Sequence, residues 1–175
     1  MKKDKNFIIS IDQGTTSSRA ILFNLKGQPI FSSQKEFTQY FPKSGWVEHD
    51  PEEIWSTTKK TLLDVIKKSK ALKGKILTIG ITNQRETTIL WDKKTGKAVY
   101  NAIVWQDRRQ EEFCKKLRKQ NKETLIFNRT GLLIDSYFSG TKIKWVLDNV
   151  PLAKKLMKKR QLLFGTIDSF LIWRL

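Results

Sequence analysis

The feature that most constrains the fold is a polar turn between two apolar strands near the start of the chain. The stretch IDQGTTSSRA at residues 11–20 follows the apolar residues 7–9 and leads into the apolar residues 20–23. Short apolar runs separated by glycine and hydroxyl residues indicate buried strands joined by a tight connection. Strands this close in sequence pair antiparallel. The sequence therefore predicts a hairpin whose turn has Asp12 at one end and Arg19 at the other.

The segments after this hairpin predict a mixed sheet. A third strand is expected at 28–35, and the capping signature Asp50–Glu53 opens a helix that runs to about Lys70. A strand at 76–82 then completes a crossover connection, which makes it parallel to the strand it joins. Periodicity predicts a further strand at 87–91 and helices at about 108–120, 139–149, 151–159 and 166–175. This order is typical of ribonuclease-H-like and actin-like ATPase folds, so we expect an α/β domain with a mixed sheet and helices on both faces.

Composition excludes several classes of protein. A chain of 175 residues with 39% hydrophobic residues is typical of a globular domain, and no run approaches the roughly 20 apolar residues of a membrane span. The charged start, Met1–Lys5, leads into too short an apolar segment for a signal sequence, so a cytoplasmic location is expected. A single cysteine, Cys114, excludes an internal disulfide, and a single histidine, His49, argues against a zinc site or a histidine-based triad.

The charge of the chain raises the question of a polyanionic partner. Lysine and arginine number 34 against 17 acidic residues, a net charge of +17. Such an excess favours nucleic acid or phosphorylated small molecules as partners. The lysines are spread in pairs over many segments without a nucleic-acid-binding motif, which is typical of solvated helix faces. We therefore do not expect nucleic acid to be the main partner.

The hydroxyl-rich turn can bind phosphate. Gly14 allows backbone N–H groups to approach an anion, and the residues after it add hydroxyl donors: Thr15, Thr16, Ser17 and Ser18. Arg19 adds a planar cation for phosphate oxygens, and Asp12 can hold Mg²⁺ directly or through water. The alternative is an ordinary polar hairpin, and a Gly-Thr-Thr turn alone does not decide between the two.

Three later stretches suit a polyol. Arg85 and Glu86 lie between two apolar strands, and an arginine donates while a glutamate accepts hydrogen bonds from adjacent hydroxyls. Trp105 ends an apolar run, and Tyr137 is predicted in a loop before a helix. Each has a structural alternative: the Arg–Glu pair can brace a corner, and a tryptophan at such a position is more often part of the core.

Taken together, these stretches resemble the FGGY carbohydrate kinase family and, within it, the glycerol kinases. The matching segments are DQGTTSSRA, GWVEHDPEEIW, GITNQRETT, NAIVWQ, YFSGTKIKW and LLFGTIDSFLIW. The segment Tyr137–Asn149 also fits the family signature, with Lys142 and Trp145 at fixed places. The resemblance covers essentially the whole chain, and QRETT with GWVEHDP points to glycerol rather than to xylulose, gluconate or ribulose.

The resemblance implies a role for each candidate residue. The implied ATP-phosphate contacts are Thr15, Thr16, Ser17 and Arg19, and Asp12 is implied to hold Mg²⁺ through water. The implied glycerol contacts are Arg85, Glu86 and Tyr137, with Trp105 as a wall against the carbon chain. Ser136 departs from the family, where a proline commonly precedes the tyrosine, so a less rigid loop is expected.

The resemblance also implies that the chain holds only part of an active site. The family's general base and most of its adenosine subsite are expected after position 175, so no catalytic base is predicted within the chain. We expect residues 1–175 to form an incomplete N-terminal domain without the second domain, inactive alone or completed by a separately encoded half. Two alternatives stay open: a non-catalytic remnant that binds polyol or phosphate, and a basic nucleic-acid-binding module of ribonuclease-H-like fold.

Overall fold

A computed structural model describes residues 5–175 of the chain. The strands among these residues are β1 (Lys5–Gln13), β2 (Ser17–Asn24), β3 (Pro29–Glu36), β4 (Glu48–His49), β5 (Gly74–Asn83), β6 (Thr88–Asp92), β7 (Ala102–Ile103) and β8 (Leu162–Thr166). The helices are α1 (Pro51–Ala71), α2 (Glu111–Lys119), α3 (Glu123–Thr130), α4 (Ser139–Asn149), α5 (Pro151–Lys158) and α6 (Ile167–Arg174). Within the described residues, no helix is both long and apolar enough to cross a membrane.

The chain forms two compact units. The first contains the chain up to Thr38 and Asp50–Gln84, and the second contains Gln39–His49 and Arg85–Arg174. The sheet of the first unit has the strand order β3-β2-β1-β5. Neighbours β1, β2 and β3 pair antiparallel, and β5 pairs parallel to β1 after the α1 crossover. The predicted hairpin, third strand and parallel return are therefore all present.

Alternating side chains of β1 build the core of the first unit. Phe7, Ile9 and Ile11 are buried and pack with Leu62 and Val65 of α1. This follows from the period of two in a strand and the apolar stripe of the helix. The expected Asp50 cap accepts a hydrogen bond from the Glu52 N–H at 2.8 Å.

Glu53, the third residue of α1, does not form the capping box that a glutamate at this position predicts. Glu53 accepts hydrogen bonds from the N–H of Thr38 at 3.0 Å and from its hydroxyl at 3.1 Å. The carboxylate thus anchors the segment after β3 to the first turn of α1. A carboxylate near a helix N-terminus is favourable in either arrangement.

The second unit has an antiparallel sheet of its own, in the order β4-β7-β6-β8. Leu90 of β6 packs with Val146 of α4 and Ala153 of α5. Its neighbour Trp91 makes edge contacts with Phe170 and Trp173 of α6. Successive strand residues point to opposite faces, so helices cover both faces of this sheet. The strand predicted at 87–91 is β6, and it belongs to this second sheet.

Candidate functional site

The hydroxyl-rich turn is a tight connection within the first unit. The Gly14 N–H donates to the Ser17 carbonyl at 2.9 Å, and a Cβ on residue 14 would lie 3.3 Å from that oxygen. Thr16 is exposed, while Thr15 and Ser17 are half-buried. The Ser17 hydroxyl accepts a hydrogen bond from the Gln34 amide at 3.0 Å. Three of the predicted phosphate-binding residues therefore lie on one short turn.

Ser18 does not belong to the anion-binding face that the sequence suggested. Its hydroxyl is buried and lies 2.9 Å from the Thr57 hydroxyl, and it accepts from the Thr58 hydroxyl at 3.1 Å. Because Ser18 is on the inward side of β2, it anchors the strand to α1. The alternation of the strand therefore selects which hydroxyls face away from the core.

Asp12 and Arg19 form an ion pair across the β1–β2 ladder. They are opposite each other in the strand register, and Arg19 Nη2 lies 2.5 Å from Asp12 Oδ2. Their side chains are 34% and 44% exposed, respectively. In the described part of the chain no group of three or more acids, histidines or cysteines could hold a metal. A single accessible carboxylate fits Mg²⁺ bound mainly by water and phosphate oxygens.

Two glutamines brace the turn from below. Gln13 is fully buried and donates to the Gly14 carbonyl at 2.8 Å. Gln84, at the end of β5, donates to the side-chain oxygen of Gln13 at 3.0 Å and to the same Gly14 carbonyl at 3.2 Å. Both amide nitrogens donate to the Gly14 carbonyl, so the buried glutamines fix the backbone of the turn. Sequence reasoning assigned neither residue this role.

In the second unit, Glu86 is held at its main chain and at its carboxylate. The carboxylate accepts from the N–H of Ser139 at 2.9 Å and from its hydroxyl at 2.8 Å. The carbonyl of Glu86 accepts from Lys142 Nζ at 2.9 Å and from the Thr88 hydroxyl at 3.1 Å. Glu86 has a φ of 63°, an uncommon conformation for a side chain other than glycine.

Arg85 does not pair with its neighbour, contrary to the structural alternative in which the two residues brace a corner. It is exposed, and in residues 5–175 it takes part in no ion pair or hydrogen bond. The Glu86 carboxylate binds Ser139 instead. The guanidinium is thus available for a ligand.

Tyr137 and Trp105 meet edge to face. Their ring centroids are 6.1 Å apart, and both side chains are half-buried. The Tyr137 N–H donates to the Asp135 carboxylate at 2.7 Å, and the Trp105 N–H donates to the Thr87 hydroxyl at 3.3 Å. As predicted, Tyr137 lies in a loop just before α4. The second unit brings these two rings together.

A buried serine restrains the loop before Tyr137. Ser136 is 1% exposed, and its hydroxyl accepts from Arg108 at 3.2 Å. Arg108 also pairs with Asp135 at 3.2 Å. These bonds supply a restraint that the serine was expected to lack in comparison with proline.

A buried charge network lies behind this region. Arg109 Nη2 contacts Glu48 and Asp107, each at 2.8 Å, and all three side chains are at most 3% exposed. The guanidinium stacks 3.9 Å from the Trp46 ring and 4.5 Å from the Trp145 ring. Burial opposes its charge, but hydrogen bonds to Asp107 and Glu48 more than offset this and raise the Arg109 pKa. Asp107 also accepts from the Val47 N–H at 2.7 Å, joining two distant segments of the unit.

Comparison with known proteins identifies the family. Residues 7–175 match the model of the N-terminal domain of the FGGY family of carbohydrate kinases. The chain belongs to this family. The family match covers the segments that carry the turn, the Arg85–Glu86 corner, Trp105 and Tyr137, so the resemblance noted from the sequence is confirmed.

Among FGGY relatives, glycerol kinases are similar over nearly the whole chain. A glycerol kinase of Oceanobacillus iheyensis is 58% identical over 171 residues, which are 98% of this chain and 34% of the relative. The crystal structure of Plasmodium falciparum glycerol kinase with ADP has a TM-score of 0.91 at 37% identity, over 97% of this chain and 34% of that one. The chain thus spans about a third of the length of these relatives.

The fold is shared more widely within carbohydrate kinases. A gluconate kinase from Lactobacillus acidophilus has a TM-score of 0.83 at 24% identity. At this identity, the similarity shows the fold alone. Together with the glycerol kinase likeness, this confirms the predicted α/β class and its mixed sheet.

Proposed function

We propose that this FGGY chain supplies the phosphate-binding turn and the polyol subsite of an ATP-dependent glycerol kinase. The reaction transfers the terminal phosphoryl group of ATP to a hydroxyl of glycerol and yields glycerol 3-phosphate and ADP. The observation that carries the proposal is the 58% identity to a glycerol kinase over 98% of the chain. The arrangement of the candidate residues within each unit supports it.

The polyol subsite consists of Arg85, Glu86, Trp105 and Tyr137. The exposed guanidinium of Arg85 donates to a hydroxyl oxygen, and the carboxylate of Glu86, held by Ser139, accepts a hydrogen bond from another hydroxyl. Trp105 and Tyr137 present half-buried rings suited to the C–H groups of a short carbon chain. Two hydrogen-bonding side chains and an apolar surface match a small polyol, in which every carbon carries a hydroxyl.

Phosphate binding is assigned to Thr15, Thr16, Ser17 and Arg19. Arg19 is paired with Asp12, so a phosphate group must replace the carboxylate as its partner. The Asp12 carboxylate released in this way can hold Mg²⁺ through water, and the ion would offset phosphate charge when it is bound with the nucleotide. A fixed arginine beside a transferring phosphoryl group favours the transition state, where charge on the phosphoryl oxygens changes.

No residue among 5–175 is assigned as the general base. The base and the adenosine subsite that the resemblance implies beyond position 175 stay predictions, as does the cytoplasmic location. If the general base lies beyond position 175, substrate binding cannot replace it, and residues 1–175 assayed alone should give no measurable turnover.

A chimera tests the function directly. The 175 residues replace the matching third of the Oceanobacillus iheyensis glycerol kinase, and glycerol-dependent ADP release is measured with a coupled assay. The intact relative is the positive control, and gluconate and xylulose are the competing substrates. We expect glycerol to be the preferred acceptor. A folded chimera that releases ADP with gluconate or xylulose but not with glycerol would refute the assignment.

A further inference from the structure

We propose that Lys142 is a positioning residue of the polyol subsite, because it joins the main chains of Glu86 and Tyr137 and so fixes these two glycerol contacts relative to each other. The inference rests on the proposed function and adds to it a residue that touches no substrate. Lys142 Nζ donates to the Glu86 carbonyl at 2.9 Å and also to the Tyr137 carbonyl.

The placement of Lys142 makes it a link between segments far apart in sequence. It lies in the first turns of α4, 56 residues after Glu86 and five after Tyr137. Ser139 of the same helix binds the Glu86 carboxylate. One helical turn therefore holds the corner residue at its carbonyl and at its carboxylate, and the same ammonium holds the loop that carries Tyr137.

The burial of Lys142 argues against a role in packing alone. The side chain is 0% exposed, although lysine is almost never fully buried unless it is paired. Burial lowers the pKa of its ammonium to about 8, with Glu86, Asp107 and Asp135 acting in the opposite direction. A leucine or methionine would fill the same space without this desolvation cost, but neither could donate to two carbonyls.

The backbone of Glu86 shows why such a link is needed. Its φ of 63° lies in the left-handed region, which costs free energy for a residue with a side chain. A residue keeps this backbone conformation only when neighbouring groups hold it in place. Hydrogen bonds from Lys142 and Thr88 to the Glu86 carbonyl do so here. The strained corner turns the carboxylate towards Ser139 and leaves Arg85 exposed.

The test uses the chimera described above with Lys142→Met, which keeps an unbranched side chain of nearly the same length and removes its donors. Misplacing a substrate contact weakens binding steeply, so we expect the glycerol KM to rise about tenfold or more while the ATP KM changes less than about twofold. Lys144→Met is the matched control, because Lys144 is exposed on the same helix and contacts Asp148 and the Phe113 ring rather than Glu86 or Tyr137. It should leave both KM values unchanged.

A second variant covers the case in which Lys142→Met does not fold. Lys142→Arg keeps the charge and the donors with altered reach, and should raise the glycerol KM by a smaller factor with the ATP KM unchanged. A lowered melting temperature with an unchanged glycerol KM, in whichever variant folds, would overturn the positioning role. An unsubstituted chimera without glycerol turnover would overturn the proposed function itself, and this inference with it.

Discussion

Asp12 and Arg19 in the first unit are half exposed and neutralise each other across a strand ladder, whereas Arg109 and Lys142 in the second unit are buried and bind groups from distant segments. In the first unit the geometry comes from strand register and from the backbone of a tight turn. In the second unit charged side chains themselves hold the loops in place. The charged groups of the turn are therefore accessible to a ligand, while the buried charges near the Arg85–Glu86 corner hold the structure together.

The largest expected effect is the loss of Arg109. Arg109→Met leaves Glu48 and Asp107 buried without their cation, which typically costs about 3–5 kcal/mol of unfolding free energy. Urea unfolding of the chain, followed by tryptophan fluorescence, measures it, since Trp46 and Trp145 stack on the guanidinium. A cost below about 1 kcal/mol, the range of exposed pairs, would erase the contrast between the units.

Acid should destabilise the second unit next most strongly, through His49. Its side chain is fully buried, and burial lowers its pKa from 6.5 to about 4. The unfolded chain therefore takes up the proton first, so stability present above pH 6.5 is lost as the pH falls towards 4. The slope is at most about 1.4 kcal/mol per pH unit.

The window between pH 6.5 and 5 isolates His49, because most carboxylates titrate below it. His49 is the only histidine in the chain, so His49→Gln should flatten the unfolding free energy across that window. The same decline in the variant would assign acid sensitivity to another group.

Sequence patterns predicted elements in both units where periodicity was long enough to read. They missed β4 and β7, because the two-residue strands Glu48–His49 and Ala102–Ile103 are too short to show alternation and are defined by their pairing in the sheet. They also missed α3, because its apolar residues at 125–127 are consecutive rather than spaced along one face of a helix, and none of them is buried. Its one signal was Gly131, a left-handed C-cap with a φ of 71°.

The candidate site was named from sequence only in part, and the roles of its residues stay predictions. Exposed or half-buried candidates, such as Arg85 and Tyr137, were named through motifs and family resemblance. The supporting charges were not, because a buried lysine looks like any other in a chain with 34 lysines and arginines. The signature places Lys142 at a fixed position without saying what it binds. Likewise, the pairing of Arg109 with Glu48 spans 61 residues and is visible only in the fold.

Unlike the buried cations of the second unit, Arg85 is exposed and unpaired in the described residues. This difference leads to a specific prediction. In the chimera, Arg85→Ala should raise the glycerol KM roughly ten- to a hundredfold, the loss of one charge-assisted hydrogen bond. Its melting temperature should stay unchanged. Arg129→Ala, at an exposed arginine of α3, is the control and should alter neither value. An unchanged glycerol KM with a depressed melting temperature would make Arg85 structural.

The smallest effect on stability is expected for Arg19. Arg19→Met breaks a pair whose members are 44% and 34% exposed, so the unfolding free energy should fall by less than about 1 kcal/mol, and less still in high salt. Lys60→Met is the matched control in the same unit, because Lys60 forms an exposed pair with Asp64 at 3.1 Å. The two variants should be equally stable, yet only Arg19→Met should lower the kcat of the chimera, with the glycerol KM retained. This follows if Arg19 acts on the phosphoryl group, where its contact strengthens in the transition state. Equal kcat values in the two variants would make Arg19 a surface ion pair without a role in catalysis. The contrast between an accessible charge pair in the first unit and buried structural charges in the second would then no longer hold.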